Sequence, residues 1–199
     1  EPPNNLSVGF NATVVVEPLG LEYIAGAVSD IADVDIHDMR VDSSPLKQVI
    51  DEYKPDVIGV RENYTVDVES VKSVAQEIKS LAPEVPLVVG GHHVSLSPQD
   101  AFVSDVDAIV VGDGEWTFRS LVQNLQKDNR LDTTSNVIFQ AKDGAFDASK
   151  VVASRKTAFK EFESPTMNER PAPLRGLVDK YRDDYFFLYH QRPYSIETA

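Results

Sequence analysis

Two short glycine runs hold the densest potential chemistry in this 199-residue chain: Gly90-Gly91-His92-His93 and Gly112-Asp113-Gly114-Glu115. Each follows a β-branched run and opens toward a helical pattern. A residue without a Cβ lets backbone approach a ligand closely. The unpaired N–H groups at a helix start suit a phosphate or an amide-rich ligand. A Gly-Gly after a strand is also an ordinary tight turn, so either run alone says little. With Tyr64-Thr65 at a third strand end, the set points to a binding rim. Other candidates are weaker. His92-His93 suggests a metal, yet adjacent histidines diverge and the chain has only four. Asp35-x-His37 with Asp38 suggests an acid–histidine pair, although at a strand end a solvated loop is the plainer reading. No carboxylate pair or Ser/His/Asp set follows from spacing. Neither G-x-G-x-x-G after a first strand nor G-x-x-x-x-G-K-S/T occurs, which disfavours ordinary dinucleotide or P-loop binding.

The elements that must position these loops alternate along residues 1–130. Helical periodicity covers residues 19–30, with apolar side chains at 21, 24, 25 and 28. A strand is expected at 34–37 and a helix from Pro45 to about Tyr53. Residues 56–60 read as a strand and 66–81 as a helix. Another strand follows at 87–89, then a short helix opening at Ser97-Pro98. A last strand at 108–111 precedes a helix running to about Leu125. Strands apolar on both faces and separated by helices mean a parallel sheet covered on both sides. The expected fold is a doubly wound, Rossmann-like, mostly parallel α/β sheet. Pro2-Pro3-Asn4-Asn5 reads as the loop leaving a first strand that would lie upstream of Glu1. In such sheets ligands sit beyond the carboxyl ends of the strands. Five loops are expected there: 2–10, 38–42, 61–67, 90–95 and 112–115.

Texture and charge both change near residue 130. Residues 1–130 carry nine basic and 22 acidic side chains, whereas 131–199 carry ten of each. Residues 136–146 hold two β-type runs around Asp143-Gly144, a hairpin signal. A stretch with Pro165, Pro171 and Pro173 follows, then a short helix candidate at 177–185. Residues 194–199 read as a strand entering something further. The neutral charge and Tyr181, Tyr185, Phe186, Phe187 and Tyr189 suit a docking surface against a larger neighbour, or a dimer contact. The division expected is therefore 1–130 as the α/β domain and 131–199 as a β-hairpin and linker extension.

A net charge of −13 repels phosphate backbones and anionic lipid, so no nucleic-acid or membrane-surface partner is expected. No transmembrane segment and no signal peptide is readable, and the expected location is cytoplasmic. With no cysteine, the chain can hold neither a disulfide nor an iron–sulfur cluster on its own.

A set of motifs in order carries a family resemblance. These are Pro2-Pro3, Glu17-Pro-Leu-Gly-Leu-Glu22, Lys54-Pro-Asp-Val-Ile-Gly59, Val88-Val-Gly-Gly-His-His-Val-Ser-Leu96 and Val110-Val-Gly-Asp-Gly-Glu115. Together they resemble the N-terminal cobalamin-binding domain of B12-dependent radical S-adenosylmethionine enzymes, over most of residues 1–125. Ile196-Glu-Thr-Ala199 is similar to the segment before that family's cysteine triad. The resemblance implies a corrin lying over the strand ends, with the nucleotide tail threaded beside the sheet near the Gly-Gly loop. By position, Gly90, Gly91, His92 and Ser95 would line the tail, and Gly112, Gly114 and Glu115 would border it. Tyr64 and Thr65 would face the lower corrin surface. No catalytic or metal-ligating residue is expected in this chain. Methionine-synthase-like domains supply an axial histidine from D-x-H-x-x-G in the first loop. Loop 2–10 has none, and Asp35-Ile-His-Asp-Met-Arg40 lacks the glycine and follows a different strand. Cobalamin is therefore expected base-off with no protein histidine under the cobalt.

The implied parent would be a methyltransferase acting at an unactivated carbon of a small-molecule or lipid substrate, with hopanoids the nearest analogy. It would carry a 4Fe-4S cluster and S-adenosylmethionine in a C-terminal radical domain of the same chain. Without cysteines, the present sequence would not be catalytic alone. Two other readings compete. One is a free-standing B12 carrier or sensor; the other is a nucleotide-sugar-binding α/β domain without cobalamin.

Overall fold

The computed structural model describes residues 2, 13–101, 105–129, 131, 137–139 and 170–195. Three short apolar runs form the parallel heart of the fold: β2 (Ile58–Arg61), β3 (Leu87–Gly90) and β4 (Ala108–Val110). β3 lies between the other two, with Ile58 opposite Leu87 and Val88 opposite Ala108. β5 (Val137–Phe139) closes the sheet antiparallel to β4.

Strand side chains alternate between faces, and the packing follows that period. Val60, Leu87, Val89, Ile109 and Val111 share one cluster with Val71, Val74, Ala75 and Ile78 of α3 (Val68–Leu81). Val88, Ala108 and Val110 turn the other way, onto Leu121 and the partly buried Phe118 and Leu125 of α5 (Gly114–Asp128). Both faces are thus covered, as the run of buried residues in β3 required. α1 (Leu19–Val28) lies along α5, with Ile24 against Gly114. The Arg119 guanidinium bonds the carboxylate of Asp30, and the Gln126 amide donates to the Ile31 carbonyl at 2.7 Å. α2 (Leu46–Tyr53) starts after Pro45 and stops at left-handed Lys54.

The C-terminal segment packs back on this unit. A 3-10 helix, Arg175–Tyr181, leads to β6 (Phe186–Phe187) and β7 (His190–Gln191). β6 pairs antiparallel with β1 (Val14–Val15) to make a second, three-stranded sheet. Val15, Ala25, Ile36, Val178, Tyr181 and Tyr185 form its core.

Several local expectations need correction. Residues 34–37 join no ladder among the described residues, although their alternation is real: Ile36 is buried while Asp33 and Asp35 are exposed. The helix expected at 177–185 is a 3-10 helix that starts and stops earlier. The element opening at Ser97-Pro98 is a single 3-10 turn, Pro98–Asp100. Tyr181 and Tyr185 are buried within this chain, in a cluster with Val15, Ala25 and Ile36, and their hydroxyls donate to Asp42 and Asp38. Phe187 and Tyr189 remain exposed. Of the expected 136–146 hairpin, only β5 falls within the described residues, and the strand end 196–199 lies outside them.

Candidate functional site: the strand-end rim

Because β2, β3 and β4 run parallel, Glu62–Thr65, Gly91–Ser95 and Val111–Gly114 all leave the sheet at one end. Side-chain hydrogen bonds tie the three loops together. Ser95 Oγ donates to the Gly91 carbonyl at 2.8 Å and accepts from the Gly112 N–H at 3.0 Å. Asn63 Oδ1 accepts the His92 N–H at 3.2 Å. Asp67 accepts the backbone N–H groups of Asn63 and Tyr64. α4 (His92–Leu96), which carries Ser95, is thereby strapped to both flanking loops.

The nine residues expected here are brought to one end of the sheet, yet in different states. Tyr64 is exposed, as are Thr65, His92 and Gly112. Gly112 has φ +88° and open space where a Cβ would stand, so it is a bare, accessible stretch of backbone. Gly91 differs. Its φ is +129°, and a Cβ there would collide with the Glu62 carbonyl and the Asn63 side chain. The chain's own backbone fills that space. A Cβ on Gly90 would make only ordinary contact with Val110, at 3.5 Å. Gly114 meets α1, and Glu115 is buried and paired with Arg170 at 3.0 Å. A cavity of about 970 Å³ lies beside β2, between Ile24 and Phe118 on one side and Val49 and Ile78 on the other. None of the nine residues is among the described residues that line it.

Sequence reading missed the most unusual group at the rim. Glu62 is 0% exposed, and neither carboxylate oxygen has a hydrogen-bond partner among the described residues. Its backbone N–H still donates to the Gly90 carbonyl, so it extends the ladder. It shares the parity of Ile58 and Val60, which face the α3 side; counting by twos from β2 would have placed it inward. Burial pushes its carboxyl up to about 7, opposed by nearby His93. His93 Nε2 stands 3.9 Å from Glu62 Oε1 and 3.0 Å from Asp100 Oδ2, while Nδ1 is 3.3 Å from Thr65 Oγ1.

A second buried acid set anchors the C-terminal segment. Glu17 receives Arg175, Arg182 at 2.6 Å and the Ser195 N–H at 2.7 Å. Burial opposes ionisation of Glu17, but these donors hold its carboxyl below the usual range. Asp38, at an expected solvated strand end, is fully buried beneath Arg40 and Tyr185.

With that geometry in hand, comparison with known proteins is decisive. A family model described as B12 binding domain matches residues 6–122. The chain belongs to the B12 binding domain family. An uncharacterized methyltransferase of Pyrococcus horikoshii is 31% identical over 135 residues, covering 65% of this chain and 29% of that protein. The hopanoid C-3 methylase of Methylococcus capsulatus is 29% identical over 134 residues, covering 65% and 26%. The radical S-adenosylmethionine methyltransferase TsrM of Kitasatospora setae, solved with cobalamin and a 4Fe-4S cluster, aligns with a TM-score of 0.55 at 21% identity. That alignment covers 66% of this chain and 27% of TsrM, and supports the doubly wound fold. The chain thus spans less than a third of the relatives it matches. It is a cobalamin-binding domain similar to part of two methyltransferases, and the reading without cobalamin is set aside. No helix among the described residues is long and apolar enough to cross a membrane.

Proposed function

We propose that the domain seats cobalamin on the strand-end rim for a radical S-adenosylmethionine methyltransferase acting at an unactivated carbon. The observation carrying this reading is the strapping of three strand-end loops through Ser95 and Asn63, which leaves Gly112, Tyr64 and Thr65 facing outward. The residues present fit such a ligand: an amide-rich corrin needs backbone at close range, and Gly112 presents bare backbone in open space while its N–H is held by Ser95. When bound, cobalamin supplies methyl-carrying chemistry; the chain's own part is binding and orientation.

On this reading Tyr64 and Thr65 lie under the corrin and Gly112 borders the tail. The sealed space at Gly91 favours a tail path along the Gly112 and Ser95 side. Gly90, His92, Gly114 and Glu115 complete the proposed surroundings, with Gly114 and Glu115 shaping the loop from behind. Cobalamin binds base-off with no protein histidine beneath the cobalt. Two facts support this: residues 2–10 include no histidine, and both ring nitrogens of His93 have polar partners within the rim. The division near residue 130, the cluster and S-adenosylmethionine in a following domain, and a small-molecule or lipid substrate belong to the same proposal. Exposed Phe187, Leu188, Tyr189 and Tyr194 suit contact with that domain.

Paramagnetic resonance of the Co(II) form tests the axial assignment. A spectrum without nitrogen splitting is expected. Nitrogen coupling would overturn it, as a protein histidine if it disappears in His92→Ala or His93→Gln and as the cofactor's own base if it persists.

A further inference from the structure

We propose that Glu62 is a positioning residue of the rim: protonated, it leaves His93 on Asp100 and Thr65, and on giving its proton to water it draws the imidazole to itself and loosens α4. The inference rests on the reading that this rim seats cobalamin, but its core is a property of the protein alone.

Geometry carries it. A carboxylate with no hydrogen-bond partner in a dry site is unfavourable by several kcal/mol, whereas the neutral acid is tolerated far better. The polar group within reach is the His93 ring, whose Nε2 lies 3.9 Å away and is already engaged by Asp100 at 3.0 Å. Movement of about 1 Å would convert the first distance into a charge-assisted hydrogen bond and break the second. His93 belongs to the same short helix as Ser95, which bridges Gly91 to Gly112. Displacing the imidazole therefore pulls on the bridge that aligns the two glycine loops.

Among the described residues the charged groups acting most on Glu62 are His93 from α4, Asp100 from the following 3-10 turn, Asp67 just before α3 and Lys72 within it. Burial is the largest influence and favours the proton. Asp100 and Asp67 add to it, while His93 and Lys72 act against it. The proton exchanges with solvent, and no oxidant or co-reactant is involved.

The test follows two signals on the labelled chain across the neutral pH range: the Glu62 carboxyl carbon and the His93 ring. In the wild type the Glu62 carboxyl is expected to lose its proton near neutrality without any cofactor. As it does so the His93 ring should move from Asp100 toward it, read as loss of the through-space contact between the His93 ring and the Asp100 side chain. In Glu62→Gln, a near-isosteric mimic of the protonated acid, the His93 ring is expected to stay on Asp100 across the same range. In parallel, hydroxocobalamin affinity should fall about tenfold from the acid to the alkaline limb in the wild type. In Glu62→Gln it should stay within about twofold of the acid limb. A His93–Asp100 contact that behaves identically with pH in both proteins overturns the proposal, as does a Glu62 carboxyl already ionised in mild acid. The latter needs no variant and stands whether or not Glu62→Gln folds. If hydroxocobalamin fails to bind at any pH, the cobalamin reading fails, while the Glu62 carboxyl signal and the His93–Asp100 contact still decide the role of Glu62.

Discussion

Gly91 and Gly112 look equivalent as letters, since each follows an apolar strand, but they do different work. At Gly91 both the φ of +129° and the Glu62 carbonyl forbid a Cβ, so the glycine lets loops after β2 and β3 touch. At Gly112 only the φ of +88° is demanding, and the space is open. Gly91→Ala should therefore lower the thermal midpoint sharply, at roughly 3 kcal/mol or more of stability. Gly112→Ala should cost about 1–2 kcal/mol and act chiefly on cobalamin uptake. Thermal denaturation read beside the visible spectrum after loading with hydroxocobalamin separates the two. Ser95 offers a cleaner probe of the bridge. Ser95→Ala removes a donor and an acceptor at once, and should weaken corrinoid uptake with a stability loss of about 1–2 kcal/mol. Equal uptake by Ser95→Ala and wild type would argue against the bridge. The type and spacing of these residues were legible in the sequence. What lies opposite each glycine was not, because a collision between two loops depends on strand register.

At the scale of elements, the parallel sheet could be read because its strands are buried on both faces and therefore apolar throughout. The C-terminal segment could not. Val178, Tyr181 and Tyr185 are its core contacts, spaced three and four apart, but they sit among prolines and charges that read as a linker. Its attachment is electrostatic as much as apolar. Glu17 is buried with Arg175, Arg182 and the Ser195 amide around it, and the Arg182 guanidinium stacks 4.5 Å over Tyr194. Removing one member strands the others without solvent, so Arg182→Ala should destabilise by about 3 kcal/mol. Amide hydrogen exchange at residues 175–181 should accelerate more than exchange in β3. Uniform acceleration throughout the chain would show that the segment is not a separately anchored layer.

For the whole molecule, pH reports the balance of buried acids. Burial raises Glu22 and Glu62 from 4.5 to about 7, Glu17 adding to the effect at Glu22. A raised carboxyl contributes stability fully below its unfolded value and loses it as pH climbs through about 7. Each shift corresponds to about 3 kcal/mol at most. Asp42 runs the other way: hydrogen bonds from Ser44 hold it at about 2, so its contribution is lost only as pH falls toward that value. Asp38 and Glu17 share that sign. Stability should peak in mild acid, decline between about pH 4.5 and pH 7 and level off above that. Glu22→Gln with Glu62→Gln should flatten the decline, separating these two groups from the general repulsion of a −13 chain. Such orphan acids escaped sequence reading because nothing in their neighbours along the chain marks them as dry.

The central claim is that this rim accepts a corrinoid, and the most direct measurement is uptake by the purified chain. Mixed with hydroxocobalamin, desalted and scanned in the visible range, the wild type should retain one corrinoid per chain, and Gly112→Ala should retain markedly less. A colourless wild type, or full retention by a folded Gly112→Ala with Ser95→Ala double variant, would contradict it.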